Sequence, residues 1–378
     1  MNGKQRAAAL VLSAAMATSL AACGSDTSWA ASYAETTMPA GVYILNQIDG
    51  YYDAQDALKE AGIAWETSMT GDELKKFVLK NEVEGRPAAD YISERAAQYT
   101  RSYFAVNKLA AERGIALSAE DEAGLQNSLE QLWLYSGTFY TQNGISKDSV
   151  LLMTRNYLTQ TRLFESIYGE GGEQSPSEEE YKNYYLENRV RVRYLPLTFS
   201  SSLSEEEKTA LEEKANGYFE RAQKGESLTV LIEEYQNELY EEALKAAEEA
   251  SSSSSESSSP AEEAEPAERI TITEGEYDLI LTKDSSAPSK TLTDEMFGAA
   301  EGEVKLVRDE QAIYIAMRVD PMFSQEDYES LKPSLLQEMK EEEFEQWLAE
   351  QGNTLEIVYN EAALKRFTPS KLNFKLPS

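Results

Sequence analysis

Apolar residues recur every three to four positions through most of the first half of the chain, the spacing that forms one face of a helix. Ser118 and Asp121 add a capping box at the start of one such segment, in which each side chain accepts a hydrogen bond from the other residue's backbone amide. The pattern predicts helices over residues 39–62, 88–114, 118–137 and 147–168. The first half of the chain is therefore predicted to be a helical assembly.

The periodicity changes from helical to alternating near residue 189. Val190, Val192 and Tyr194 alternate with arginines, as in a strand that buries one of its faces. Further strands are predicted at residues 269–273, 277–282, 311–320 and 354–360, with helices between them. The fold class predicted from the whole pattern is α+β.

The order of these segments predicts one domain inserted into another. Residues 29–188 form a mostly helical domain that residues 321–378 complete, and a smaller α/β domain lies between them at residues 189–320. A short strand near residues 29–33 is expected to pair with the strand near residues 354–359. Either strand alone would expose unpaired backbone groups.

The α/β domain contains a segment rich in Glu, Ala and Ser at residues 238–268. It has few large apolar residues, so burial would not offset the entropy lost on ordering it. We predict that this segment is a disordered, acidic and serine-rich insert. Shortening it should not impair folding.

The N-terminus resembles a bacterial lipoprotein signal. Lys4 and Arg6 precede an apolar run at residues 7–20, and the sequence "LAAC" ends at Cys23. This implies that residues 1–22 are a signal peptide, that Cys23 carries the lipid, and that residues 23–28 are a tether. The predicted location is extracytoplasmic, on the cell membrane; the alternative is a plain secretory signal with an incidental cysteine. Cys23 is the single cysteine, so no disulfide is expected.

Composition excludes several classes of function. The net charge of -32 over 378 residues repels nucleic acid, and the sequence has no "GxxxxGK" loop for nucleotide phosphates. There is no histidine, which excludes His-containing triads and His-ligated zinc sites. No metal or cofactor is expected. The 22 tyrosines and 4 tryptophans are suited to contact with unfolded chains, although most are expected to pack helices.

Four stretches resemble the parvulin family of peptidyl-prolyl isomerases, in the arrangement of extracytoplasmic foldases of the PrsA and SurA type. They are "RVRYLPL", "ERAQKGESLTVLIEEYQ", "LTDEMFGAAEGEV" and "AIYIAMRVD". The resemblance implies that Phe297 lies in the ligand pocket of the family. It also implies that Tyr194 and Tyr314 stand where the family has two histidines. The chain is thereby expected to be a helical chaperone domain interrupted by a parvulin-like domain.

The chain departs from that family at the catalytic positions. A tyrosine pair can donate and accept hydrogen bonds, but it does not reproduce imidazole chemistry near neutral pH. We therefore predict no catalytic residue, and Tyr194, Phe297 and Tyr314 are expected to be vestigial pocket or peptide-contact residues.

The predicted function is that of a membrane-anchored, ATP-independent chaperone or foldase for unfolded or partly folded secreted polypeptides. Two alternatives are left open. One is an active isomerase that uses the tyrosine pair, and the other is a surface lipoprotein that binds one fixed envelope partner.

Overall fold

A computed structural model of the chain describes residues 26–200, 203–253 and 270–375. The strands are β1 (Trp29–Tyr33), β2 (Thr36–Pro39), β3 (Glu82–Val83), β4 (Arg86–Pro87), β5 (Arg189–Thr198), β6 (Leu279–Thr282), β7 (Val304–Arg308), β8 (Ala312–Val319) and β9 (Val358–Tyr359). The helices are α1 (Ala40–Glu60), α2 (Gly71–Lys80), α3 (Ala88–Arg113), α4 (Ala119–Gln142), α5 (Lys147–Tyr168), α6 (Glu178–Asn188), α7 (Glu205–Gln223), α8 (Leu228–Ser253), α9 (Lys290–Phe297), α10 (Gln325–Asn353) and α11 (Glu361–Arg366). The predicted α+β class, with helix predominating, is confirmed.

The chain divides into two compact units. The helical unit comprises Met1–Ser175 and Glu341–Ser378, and the sheet unit comprises Pro176–Lys340. The predicted boundaries after residues 188 and 320 differ from these, because α6 and the first half of α10 belong to the sheet unit. Tyr185 of α6 and Tyr328 of α10 account for the difference, since their buried rings pack edge to face with centroids 5.3 Å apart.

In the helical unit, α1 packs against α3 and α5. Gly50 permits the close approach of α1 to α3, because a Cβ at this position would lie 2.9 Å from the carbonyl oxygen of Ile92. The two helices are also joined by a buried hydrogen bond of 3.1 Å from Asn46 Nδ2 to Thr100 Oγ1. The predicted capping box of Ser118 and Asp121 is confirmed at the start of α4.

The two ends of the helical unit meet in one small antiparallel sheet of order β2-β1-β9. Ala31 lies opposite Tyr359 and Ser32 lies opposite Val358. The predicted pairing of the terminal strand with the first strand is confirmed. Among the described residues, no helix combines the length and apolar character needed to span a membrane.

The sheet unit is built on a four-stranded antiparallel sheet of order β6-β5-β8-β7. One face carries Val190, Val192 and Tyr194 and packs against α9, which confirms the shared face predicted from their alternation. The opposite face carries Leu195 and Leu197 and packs against α7 and α8. The sheet is therefore covered on both faces.

Two predictions for the segment after α7 are wrong. The insert was predicted to begin at residue 238, but α8 continues to Ser253 because its Glu, Ala and Leu residues have high helix propensity. Residues 254–268 lie outside the described part of the chain. The strand predicted at residues 269–273 is absent from its described residues, since the Ile270 amide donates to Asn237 Oδ1 and the Ile272 amide donates to Glu233 Oε2. Side chains of α8 thus take the place of a strand partner.

Candidate functional site

The three pocket residues predicted from the sequence lie together on the α9 face of the sheet. Tyr194 is on β5, Tyr314 is on β8, and Phe297 is the last residue of α9; all three belong to one apolar cluster. Tyr194 lies opposite Ala316, and Tyr314 lies opposite Pro196, so the two tyrosines are diagonal neighbours on one face. Their ring centroids are 6.1 Å apart and the ring planes are inclined at 49°.

A polar network adjoins Tyr314. Asp309 accepts hydrogen bonds from the backbone amides of Gln311 and Ala312, at 2.7 and 2.8 Å. The hydroxyl groups of Ser289 and Tyr314 are near enough to this carboxylate to influence its pKa. Tyr314 itself is buried, with 4% of its surface exposed.

The pKa shifts follow from this arrangement. Burial alone would raise the pKa of Asp309, but the nearby Ser289 hydroxyl and the amides of Gln311 and Ala312 lower the pKa below its ordinary value. Burial raises the pKa of Tyr314, and the Asp309 carboxylate raises it further. Burial also raises the pKa of Tyr194. Both tyrosines are therefore neutral near pH 7, and neither exchanges a proton there as an imidazole would.

Replacing Tyr314 by Phe is expected to destabilise the sheet unit by about 1 kcal/mol, because it removes the buried hydroxyl that interacts with the Asp309 carboxylate, while that carboxylate keeps its two backbone donors. Urea unfolding measures this change. Tyr194→Phe is the matched control, since burial is the cause of its pKa shift, and its stability should equal that of the wild type. Equal stability of the two variants would show that the interaction with Asp309 contributes nothing.

A second cluster, which the sequence analysis missed, lies where β5 meets the segment before β6. Arg191 Nε donates to Asp278 Oδ2 at 2.9 Å, and Arg193 Nε donates to Asp278 Oδ1 at 2.8 Å. The Asp278 side chain is fully buried and both arginine side chains are 4% exposed. Asp327 and Glu274 each bind one of the arginines as well.

This cluster has the features of a structural element. Its buried charges are paired, and the ring of Phe323 lies 5.2 Å from the guanidinium of Arg191 and 5.6 Å from that of Arg193. The alternation of Arg and Val predicted a strand that buries one face, whereas the arginine side chains on the other face are buried as well. The signal that could have corrected this was the acidic "EGEYD" stretch immediately before the next strand.

Cys23, the predicted site of lipidation, lies outside the described residues. Within residues 26–200, 203–253 and 270–375, no group of three or more Asp, Glu, Cys or His side chains could hold a metal ion. The predicted site residues thus form an aromatic cluster on the sheet, with the Asp309 carboxylate close to Tyr314.

Neither a protein-family model nor a curated protein matches the chain. Among solved structures, it is similar to foldase protein PrsA from Streptococcus pneumoniae, with 12% identity, a TM-score of 0.33, and coverage of 77% of this chain and 97% of that one. The foldase protein PrsA from Lactococcus lactis has 11% identity, a TM-score of 0.33, and coverage of 90% and 99%. The peptidylprolyl isomerase PrsA from Bacillus cereus has 15% identity, a TM-score of 0.27, and coverage of 74% and 94%.

Proposed function

We propose that this protein is an extracytoplasmic, lipid-anchored chaperone or foldase that binds unfolded segments of secreted polypeptides without ATP. Its sheet unit is a parvulin-like unit that no longer catalyses prolyl isomerisation. The observation that carries the proposal is the aromatic cluster of Tyr194, Phe297 and Tyr314. These aromatic rings line one face of the sheet, and the two positions that resemble the family's histidines hold neutral tyrosines.

The chemistry of this pocket favours binding over catalysis. Rotation about a prolyl amide crosses a barrier of about 18–20 kcal/mol, and lowering it requires groups arranged to stabilise the twisted amide. Tyr314 is buried, and the neighbouring Asp309 carboxylate helps to keep its hydroxyl protonated. The remaining surface is aromatic, and it would hold a proline or another apolar side chain by contact alone.

The helical unit supports the holding function. Within the described part of this unit, Tyr52, Leu134 and Tyr135 are large apolar side chains with 50%, 78% and 83% of their surface exposed. Exposed apolar groups are a common feature of surfaces that bind polypeptide. The net charge of -32 keeps such a surface soluble and favours basic clients.

The isomerase alternative is tested with short prolyl peptides. With the wild-type protein, the time constant of cis-to-trans conversion is expected to stay at its uncatalysed value of tens to hundreds of seconds. Tyr194→Phe and Tyr314→Phe are expected to give the same rate. Catalysis by the wild type that is lost in Tyr194→Phe would show that the tyrosine pair replaces the two histidines.

The lipid anchor is tested at Cys23. Cys23→Ala is expected to leave an unprocessed, unlipidated precursor, because the acyl chains are attached through the thiol of this residue. Mass spectrometry of the mature N-terminus provides the measurement. An unmodified mature N-terminus at another residue of the wild-type protein would contradict the proposed anchor.

A further inference from the structure

The helical unit carries an open groove of about 580 Å³, lined by α1, α2, α4 and the end of the described chain. Its lining is rich in aromatic side chains, among them Tyr52, Tyr135, Phe139 and Tyr140, and it includes the carboxylate of Asp49. We call this surface the tyrosine groove. Its volume lies within the range of pockets that bind small ligands and side chains.

The end of the chain shows how this surface holds an extended segment. Asn143 Nδ2 donates to the carbonyl of Asn373 at 2.9 Å, and the Asn373 amide donates to Asn143 Oδ1 at 2.8 Å. The Phe374 amide donates to Asp72 Oδ1 at 3.1 Å, and Gln142 Nε2 donates to the carbonyl of Asn373 at 3.3 Å. These bonds reach the backbone of the segment and do not select its side chains.

The side chain of Phe374 is held by aromatic contact. Its ring centroid lies 4.4 Å from that of Tyr51, 5.8 Å from that of Phe139 and 6.3 Å from that of Tyr52. Phe374 is 9% exposed and belongs to the core of the unit. It therefore forms a fixed wall of the tyrosine groove, and the open volume beside it is lined by the same kind of ring.

The groove also contains a negatively charged residue, Asp49, which favours a positively charged occupant. Asp49 lines the groove and accepts a hydrogen bond of 2.8 Å from the hydroxyl of Tyr157. Lys375 lies at the rim, where its charge acts on Asp72. A cationic side chain that enters beside Asp49 meets a carboxylate, in a protein whose net charge of -32 also attracts cations.

We propose that the tyrosine groove binds an extended segment of a client polypeptide in which an aromatic residue is followed by a lysine or arginine. This inference rests on the proposed chaperone function and names the binding site and the class of segment that it takes. The aromatic ring packs against Tyr52, Tyr135 and Tyr140, and the cation pairs with Asp49. The ring of Phe374 in the chain itself is an example of the same aromatic contact at the neighbouring position.

Fluorescence anisotropy with the full chain tests the proposal. The probe is a labelled peptide of about ten residues with two Phe-Lys pairs, and a companion peptide replaces each Lys by Ser. Tyr52→Ala and Tyr135→Ser are expected to weaken binding of the Phe-Lys peptide about three- to tenfold, the effect of losing one aromatic contact. Asp49→Asn is expected to weaken binding of the Phe-Lys peptide and to leave the affinity for the Phe-Ser peptide unchanged.

The matched control is Tyr277→Ala, which alters a tyrosine of the sheet unit whose side chain is 42% exposed. This variant should bind both peptides as the wild type does.

The outcomes separate this site from the proposed function. Wild-type affinity in all three groove variants would overturn the proposal, even if the protein holds clients elsewhere. Equal loss in Tyr277→Ala would overturn it as well. If Tyr52→Ala lowers the melting temperature, Tyr135→Ser decides, because a side chain with 83% exposure contributes little to folding. A wild-type protein that holds no denatured client would instead refute the chaperone function.

Discussion

Asp278→Asn is expected to lower the free energy of unfolding of the sheet unit by about 3–5 kcal/mol, the usual cost of breaking a buried ion pair from one side. The variant leaves Arg191 and Arg193 without their shared carboxylate, at sites where both side chains are 4% exposed. Their other partners, Asp327 and Glu274, are 43% and 66% exposed and do not replace a buried charge. Urea unfolding followed by circular dichroism measures the loss.

The interaction of Asp278 with Arg191 and Arg193 also makes the stability of the sheet unit depend on pH. Burial alone would raise the pKa of Asp278, but Arg193 and Arg191 lower it below its ordinary value. The stabilisation is therefore fully present above the unfolded pKa of about 3.9, and it is lost as pH falls through the lower folded value. The difference in stability between the wild type and Asp278→Asn should shrink over that acidic range.

The control for this prediction is Asp284→Asn, which removes an exposed carboxylate from the same unit. We expect its stability to lie within about 0.5 kcal/mol of that of the wild type. A loss in Asp278→Asn no larger than that of the control would show that the buried cluster does not hold the sheet unit together.

Deletion of residues 354–378 is expected to destabilise the helices of the helical unit by several kcal/mol. It removes one of the two strand partners of β1, and it removes the buried side chains of Leu372 and Phe374, each of which contributes about 1.5–3 kcal/mol on burial. It also leaves Gln47 of α1 without the carbonyl of Phe367, to which its Nε2 donates at 2.7 Å.

Amide hydrogen exchange in α1 and α3 measures this cooperation between the two ends of the chain. Protection in both helices should fall in the deletion variant. Val358→Ala is the control, because this side chain is 61% exposed and the substitution keeps the backbone pairing of β9. Undiminished protection in α1 and α3 of the deletion variant would show that the two ends fold independently.

The helices could be predicted where the sequence carries a local signal. Ser118 with Asp121 and Ser177 with Glu180 form the capping boxes that begin α4 and α6, and each box depends on residues three positions apart. The end of α8 was missed because low apolar content was taken as a sign of disorder, although Ala and Glu favour helix without burial.

The site was predictable only in part, because some of its contacts join residues that are far apart in the sequence. Strand alternation and the family resemblance were enough to bring Tyr194, Phe297 and Tyr314 to one face. The Arg191–Asp278 pair joins residues 87 positions apart, and no local pattern records such a contact. The tyrosine groove likewise depends on the packing of the chain's end against α1 and α4.

The central claim, that this protein holds unfolded polypeptides without ATP, is tested most directly by light scattering. Several unrelated denatured clients are diluted into buffer that contains the full-length protein, with a folded protein of similar negative charge as the control. We predict that scattering falls for every client at near-stoichiometric amounts of the protein, and that it falls most for basic clients. Scattering that equals the control for all clients, or that falls for one client alone, would contradict it.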